Sequence, residues 1–165
     1  MQILKILSKE MTNEAQTTRE MLNRIPDNKF DWQPHEKSMN IERLSNHIAE
    51  LPGWVTMVLN TEELDFLKSP YVPTTYANKK DLLSYFEETL KAALASLEQA
   101  SEDQLSEPWT LRQGEIILSQ GSKLDMIRMS YSQIVHHRAQ LGVYLRLLNV
   151  PIPGSYGPSV DEKGA

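Results

Sequence analysis

With 165 residues, 40% hydrophobic side chains and a formal net charge of −5, the chain is the size of one domain that can bury its own core without covalent staples. It lacks a basic stripe able to neutralise nucleic-acid phosphates, and the absence of cysteine excludes disulfides, thiolate metal sites and a sulfur nucleophile. The first residues, Met1 to Met11, mix charges into their apolar positions, and no apolar run reaches membrane-spanning length, so neither a secretory signal nor a membrane segment is expected and the reading is a soluble cytoplasmic protein.

Four stretches carry helical periodicity, separated by segments rich in Pro, Gly, Asn, Asp and Ser. The first helix is expected from about Gln2 to Arg24, with Ile3, Ile6, Leu7, Ala15, Thr18, Met21, Leu22 and Ile25 inward, and Pro26-Asp27-Asn28 stops it. Phe30 and Trp32 then fold back over one end. Ser38 or Asn40 can cap a second helix whose apolar stripe is Ile41, Leu44, Ile48, Leu51, Val55 and Leu59. Pro52 lies within that stripe and removes the amide that would bond the Ile48 carbonyl, which predicts a kink one turn beyond His47. A loop from about Thr61 to Ala77 leads to a third helix, capped by Asn78 and ending near Ala100. The connector Ser101 to Ser122 contains a β-prone piece, Glu115 to Leu118, read as an extended stretch or a single turn and not assigned as a strand. The fourth helix runs from about Lys123 to Asn149. The expected fold is an all-α four-helix bundle with long connectors over residues 1–150, followed by a tail, 151–165, on or near the bundle.

Chemistry centres on histidine. Of His35, His47, His136 and His137, the last three lie on expected helices beside apolar stripes. At 100° per residue, Met126, Ser130, Gln133, His137 and Tyr144 border the apolar centre of the fourth helix, whereas His136 points away from it. His47 occupies a similar border position on the second helix. Gln133 and His137 are four residues apart, a spacing that lets two side chains address one ion. With His47 they would give two imidazoles and a carboxamide, a set suited to Zn, Ni, Fe or Cu with positions left for water. The same pattern also fits two border histidines satisfied by backbone carbonyls or carboxylates. Glu50, one turn after His47, is a candidate to hold a ligand or act as a base, beside a place on a solvated face; Arg138 and Gln140 read as structural partners and His35 as a surface residue.

The runs Trp32-Gln-Pro34-His35-Glu36-Lys37-Ser38, Leu44-Ser-Asn-His47-Ile-Ala-Glu50-Leu-Pro52-Gly53-Trp54, His136-His137-Arg138-Ala-Gln140-Leu and Pro151-Ile-Pro153-Gly-Ser-Tyr156-Gly157-Pro158 resemble, in order, landmarks of the DinB/YfiT-like family. The resemblance covers nearly all of the chain. It implies up-down-down-up connectivity, homodimerisation, and a divalent metal held by one histidine of the second helix and a His-x-x-x-His pair of the fourth. Carried over, these positions are His47, Gln133 and His137. An amide stands where the family has an imidazole, so Gln133 binds through its oxygen, His136 substitutes after rearrangement, or the site has lost its metal. Zinc or nickel is the expected ion, with iron or manganese as alternatives. Glu50 and Tyr156 are the catalytic candidates, the tyrosine from a tail that could fold over the site. The resemblance implies a metal-dependent enzyme that activates water or a low-molecular-weight thiol for hydrolysis or S-transfer on a small molecule. The alternative is a metal-free small-molecule-binding or stress-related interaction protein. No Gly-rich phosphate loop or Gly-x-Ser-x-Gly elbow competes with this reading.

Overall fold

The computed structural model describes residues 3–162; Gln2, the expected start of the first helix, and the last three residues of the tail lie outside them. Four long helices dominate: α1 (Ile3–Asn23), α2 (Ile41–Asn60), α3 (Lys79–Gln99) and α4 (Lys123–Leu147). Their starts are set by side-chain caps that satisfy first-turn amides. Asn40 Oδ1 accepts from the Arg43 amide at 2.9 Å, and Asn78 Oδ1 accepts from the Asp81 amide at 3.0 Å. Ser122 and Asp125 form a reciprocal capping box at the start of α4.

α1 packs on α3 and α4, and α2 packs on the same two helices, so the two helices first in sequence lie diagonally across the bundle rather than as a hairpin. The shared core contains Leu22, Ile25, Ile41, Ile48, Val55, Leu82, Phe86, Ile127, Leu141 and Leu145, all nearly inaccessible to solvent. On α1 the inward face differs from the expected one: Ile3 and Ile6 are exposed, and Met11 is buried with Leu7 and Ala15. Leu7, Met11 and Ala15 are spaced by four and lie along one ridge, which turns Ile3 and Ile6 to its flank.

Helix α2 continues through Pro52 without a break. Two neighbouring helices stitch its backbone there. Thr89 Oγ1 on α3 donates to the Ala49 carbonyl at 2.6 Å, and Ser130 Oγ on α4 donates to the Leu51 carbonyl at 2.8 Å. These side chains supply donors beside a position whose own amide is missing.

The fold is not all-α. Three short strands, β1 (Glu63–Asp65), β2 (Pro108–Gln113) and β3 (Ile116–Ser122), form a sheet in the order β1-β2-β3, with β1 parallel and β3 antiparallel to β2. The β-prone piece near Glu115 is thus the start of a strand. Period-2 alternation could not reveal it, because Ile116, Ile117 and Leu118 are all exposed. Gly114 makes the hairpin turn at φ 60°, and a Cβ there would meet Leu67 Cδ1 at 2.6 Å. Asp65 Oδ1 accepts from the amides of Leu67 and Gly114 and ties β1 to that turn; these amides hold the Asp65 carboxyl below its usual range. Trp109 on β2 is fully buried and donates its indole N–H to Thr61 Oγ1 at 2.9 Å, anchoring the sheet to the end of α2.

The tail returns along α4. Arg146 pairs with Asp161, whose carboxylate also accepts from the Ile152 amide, and Ile152 packs on the core. No helix among the described residues is long and apolar enough to cross a membrane.

Candidate functional site

The adjacent packing of α2 and α4 brings His47 and His137 together. Their rings lie edge to face, with centroids 4.7 Å apart and planes at 76°. Each ring is held by a residue three positions on, one turn along its own helix. His47 Nδ1 meets Glu50 Oε1 at 2.6 Å, and His137 Nδ1 meets Gln140 Oε1 at 2.9 Å. A carboxylate oxygen and a carboxamide oxygen accept, so in both histidines Nδ1 carries the proton and Nε2 presents a lone pair when the ring is neutral. His137 is only 8% exposed. Burial pushes its pKa down against the opposing hydrogen bond to Gln140, and the nearby His47 and His136 add to the depression, so the neutral form is favoured.

Glu50 does not sit on a solvated face. Its side chain is 11% exposed, and besides His47 it accepts from the Tyr71 hydroxyl, at 2.7 Å on Oε1 and 2.8 Å on Oε2. Burial, reinforced by that bond to Glu50, raises the Tyr71 pKa well above its ordinary value, so the phenol keeps its proton and remains a donor. The result is a chain of hydrogen bonds, Tyr71 to Glu50 from His47, linking the connector after β1 to α2. Asn46 fixes the far end of that connector: its Nδ2 donates to the Tyr76 carbonyl at 3.0 Å and its Oδ1 accepts from the Tyr76 amide at 2.9 Å.

Between the first half of α2 and this connector lies a cavity of about 650 Å³, lined by His47 and Glu50 together with Met39, Trp54, Phe66 and Tyr71. A largely apolar concavity with polar groups placed among its walls is the usual form of a small-molecule site.

The remaining candidates lie outside this pair of rings. Gln133 is exposed on α4, one turn before His137. His136 is exposed, its ring 4.8 Å from that of His137. Tyr156 is 73% exposed, and its hydroxyl donates to Glu14 Oε1 at 2.9 Å and accepts from Arg138 Nη2 at 3.1 Å, so its polar end is engaged with α1 and α4. His35 is exposed and its Nδ1 accepts from the Lys37 amide. Tyr71 and the pairing role of Gln140 were not legible as site features. The His-x-x-Glu and His-x-x-Gln spacing on two helices could have suggested the pairing, since residues three apart share a helix face; Tyr71 lies between Pro70 and Pro73 and carries no periodic signal.

The donors suit a transition metal. Two imidazoles, each with Nδ1 engaged by a hydrogen-bond acceptor, have the outer arrangement that commonly supports metal-binding histidines. Among the described residues no group of three histidine, aspartate or glutamate side chains is arranged to hold a metal ion.

Fold and site together define a small helical-bundle protein with paired, pre-oriented imidazoles beside an apolar cavity. The DinB family model matches residues 1–163, and the chain belongs to the DinB family. Among solved structures, it is similar to a DinB-like protein from Bacillus subtilis, at 20% identity and a TM-score of 0.72, over 93% of this chain and 99% of that one. A DinB-like protein from Bacillus cereus is 16% identical with a TM-score of 0.68, over 91% and 95% of the respective chains. A mycothiol-dependent maleylpyruvate isomerase shares the fold at 13% identity and a TM-score of 0.59; the likeness spans 84% of this chain and 60% of that one. No curated protein matches the chain in sequence.

Proposed function

We propose that this chain is a metal-dependent enzyme acting on a small molecule, with His47 and His137 holding a divalent transition metal and Gln133 offering a weaker third position. The observation that carries this reading is the matched pair of outer hydrogen bonds, Glu50 on His47 and Gln140 on His137, which leaves Nε2 of both facing rings without a hydrogen-bond partner among the described residues. When bound, such a metal lowers the pKa of a coordinated water or thiol and polarises the substrate. Zinc or nickel suits the imidazole donors, and iron or manganese is the alternative.

The protein's own groups have separate tasks. Glu50 keeps the proton on His47 Nδ1 and is itself fixed by Tyr71, so turning the ring breaks its bond to a carboxylate already held in place. Gln140 does the same for His137 with a neutral acceptor. Trp54, Phe66 and Met39 exclude water from the substrate's apolar portion. The chain has no cysteine, so any sulfur nucleophile must arrive as a low-molecular-weight thiol. The likeness in fold to a mycothiol-dependent isomerase supports testing thiol transfer beside hydrolysis. The exposed Gln133 in place of an imidazole favours one other reading, a metal-free DinB-family binding protein.

Elemental mass spectrometry of protein purified without a histidine tag separates the two. Near-stoichiometric Zn, Ni, Fe or Mn, lost in His47→Ala and in His137→Ala with helix content retained, is the expected result. Protein that is empty and takes up no added metal overturns the metalloenzyme reading. Gln133→His is expected to raise metal affinity without changing the fold.

A further inference from the structure

Most polar groups lining the cavity beside His47 are already engaged within the protein. Asn40 caps α2, Asn46 holds the Tyr76 backbone, and Glu50 serves His47 and Tyr71. Arg43 is different. It is the one arginine or lysine in the lining, it is exposed, and among the described residues its guanidinium has no hydrogen-bond or ion-pair partner. Its charge reaches the Tyr71 hydroxyl, where it opposes the rise in that group's pKa. Helical spacing puts Arg43, His47, Glu50 and Trp54 along one face of α2, at i, i+4, i+7 and i+11. Residues one turn apart have Cβ atoms about 5–6 Å from one another. A ligand held at Arg43 would therefore pass His47 one turn along, with its apolar body directed toward Trp54 and Phe66.

We infer that Arg43 is a specificity-determining residue that binds the carboxylate of a small molecule whose apolar body occupies the His47 cavity. A planar guanidinium with unspent donors matches a carboxylate in two parallel hydrogen bonds. Glu42, also in the lining and without a side-chain partner among the described residues, limits the ligand further. Its charge disfavours a second carboxylate close to the first, so the ligand carries one carboxylate at the Arg43 end and an apolar body beyond it. The inference rests on the reading of this cavity as the small-molecule site.

The test uses 3-phenylpropionate and its neutral amide, 3-phenylpropionamide, titrated into the full chain while the Arg43 Nε–H and Trp54 indole N–H resonances are followed by NMR. The acid is expected to bind roughly tenfold more tightly than the amide, the scale of a charge-assisted hydrogen bond. Arg43→Gln should abolish that preference and leave amide binding unchanged, and Glu42→Gln should leave acid binding intact or tighten it. Equal binding of acid and amide, a preference that survives in Arg43→Gln, or no binding of either at millimolar concentration overturns the inference. Metal content measured on the same samples keeps the two readings apart. Acid preference in protein that takes up no metal removes the metalloenzyme reading alone; metal-loaded protein without acid preference removes the role of Arg43 alone.

Discussion

His137 and Arg138 are consecutive on α4 and both buried, yet their surroundings differ in how completely the polar groups are paired. Arg138 faces α1 and the tail. Its Nη1 donates to the Glu14 carbonyl and to Thr18 Oγ1, both at 3.1 Å, and its Nη2 donates to Ser155 Oγ and Tyr156 OH. Glu14 Oε2 lies 2.7 Å from Nη1 as an ion pair, without the alignment of a hydrogen bond. Tyr156 closes the ring by donating to the other Glu14 oxygen. His137 faces α2, uses one ring nitrogen on Gln140, and keeps the other for something outside its own helix. One side of α4 is a network centred on Arg138 that fixes the tail, with Glu14 Oε2 held by the ion pair alone, and the other is pre-oriented but unfinished. That contrast separates residues that hold the fold from residues poised for a ligand.

The strongest way to break this contrast is Arg138→Met, which leaves the Glu14 carboxylate buried without its cation. Chemical denaturation should show a loss of about 3–5 kcal/mol. Adding Glu14→Gln should restore part of that loss, and a near-neutral single variant would mean that the network contributes little to holding the tail. On the other side, Glu50→Gln should barely change stability while weakening metal affinity about 10- to 100-fold in a competitive chelator titration. Comparable losses of stability in both variants would erase the distinction. Ser130→Ala, on the α2-facing side but away from the histidines, removes the donor to the Leu51 carbonyl beside Pro52 and should cost about 1 kcal/mol.

The smallest expected effect is in pH. Burial holds the folded-state pKa of His137 below the ordinary histidine value, so the unfolded chain binds more protons between the two. Its neutral form therefore contributes fully to stability above about pH 6.5, and that contribution is lost as pH falls through the lower folded value. His137→Gln should flatten the acid-side slope of stability in that window. An unchanged slope would show that the ring is not kept neutral by burial.

Much of this arrangement is visible in the chain. The caps Asn40 and Asn78, the apolar stripes of α2 and α3, and the outward direction of His136 follow from local chemistry and a 3.6-residue period. So does the border position of His137, since a wheel reports which way a residue points on its own helix. The sheet was less accessible. β1 is three residues long, and the start of β3 has no buried face to impose alternation. The engagement of Tyr156 by Arg138 and Glu14 was also hidden, because the tail's path along α4 depends on contacts such as Arg146 with Asp161.

By itself the sequence determined the helices, their caps, the family and the pair of histidines beside apolar stripes, because each depends on residue type and spacing within a short stretch or on an ordered set of such stretches. Only the tertiary structure decided that α1 and α2 lie diagonally, that the His47 and His137 rings meet, and that Tyr71 reaches Glu50. These depend on which helix faces pack and where a long connector lies, choices set by burial of the whole core rather than by any local period.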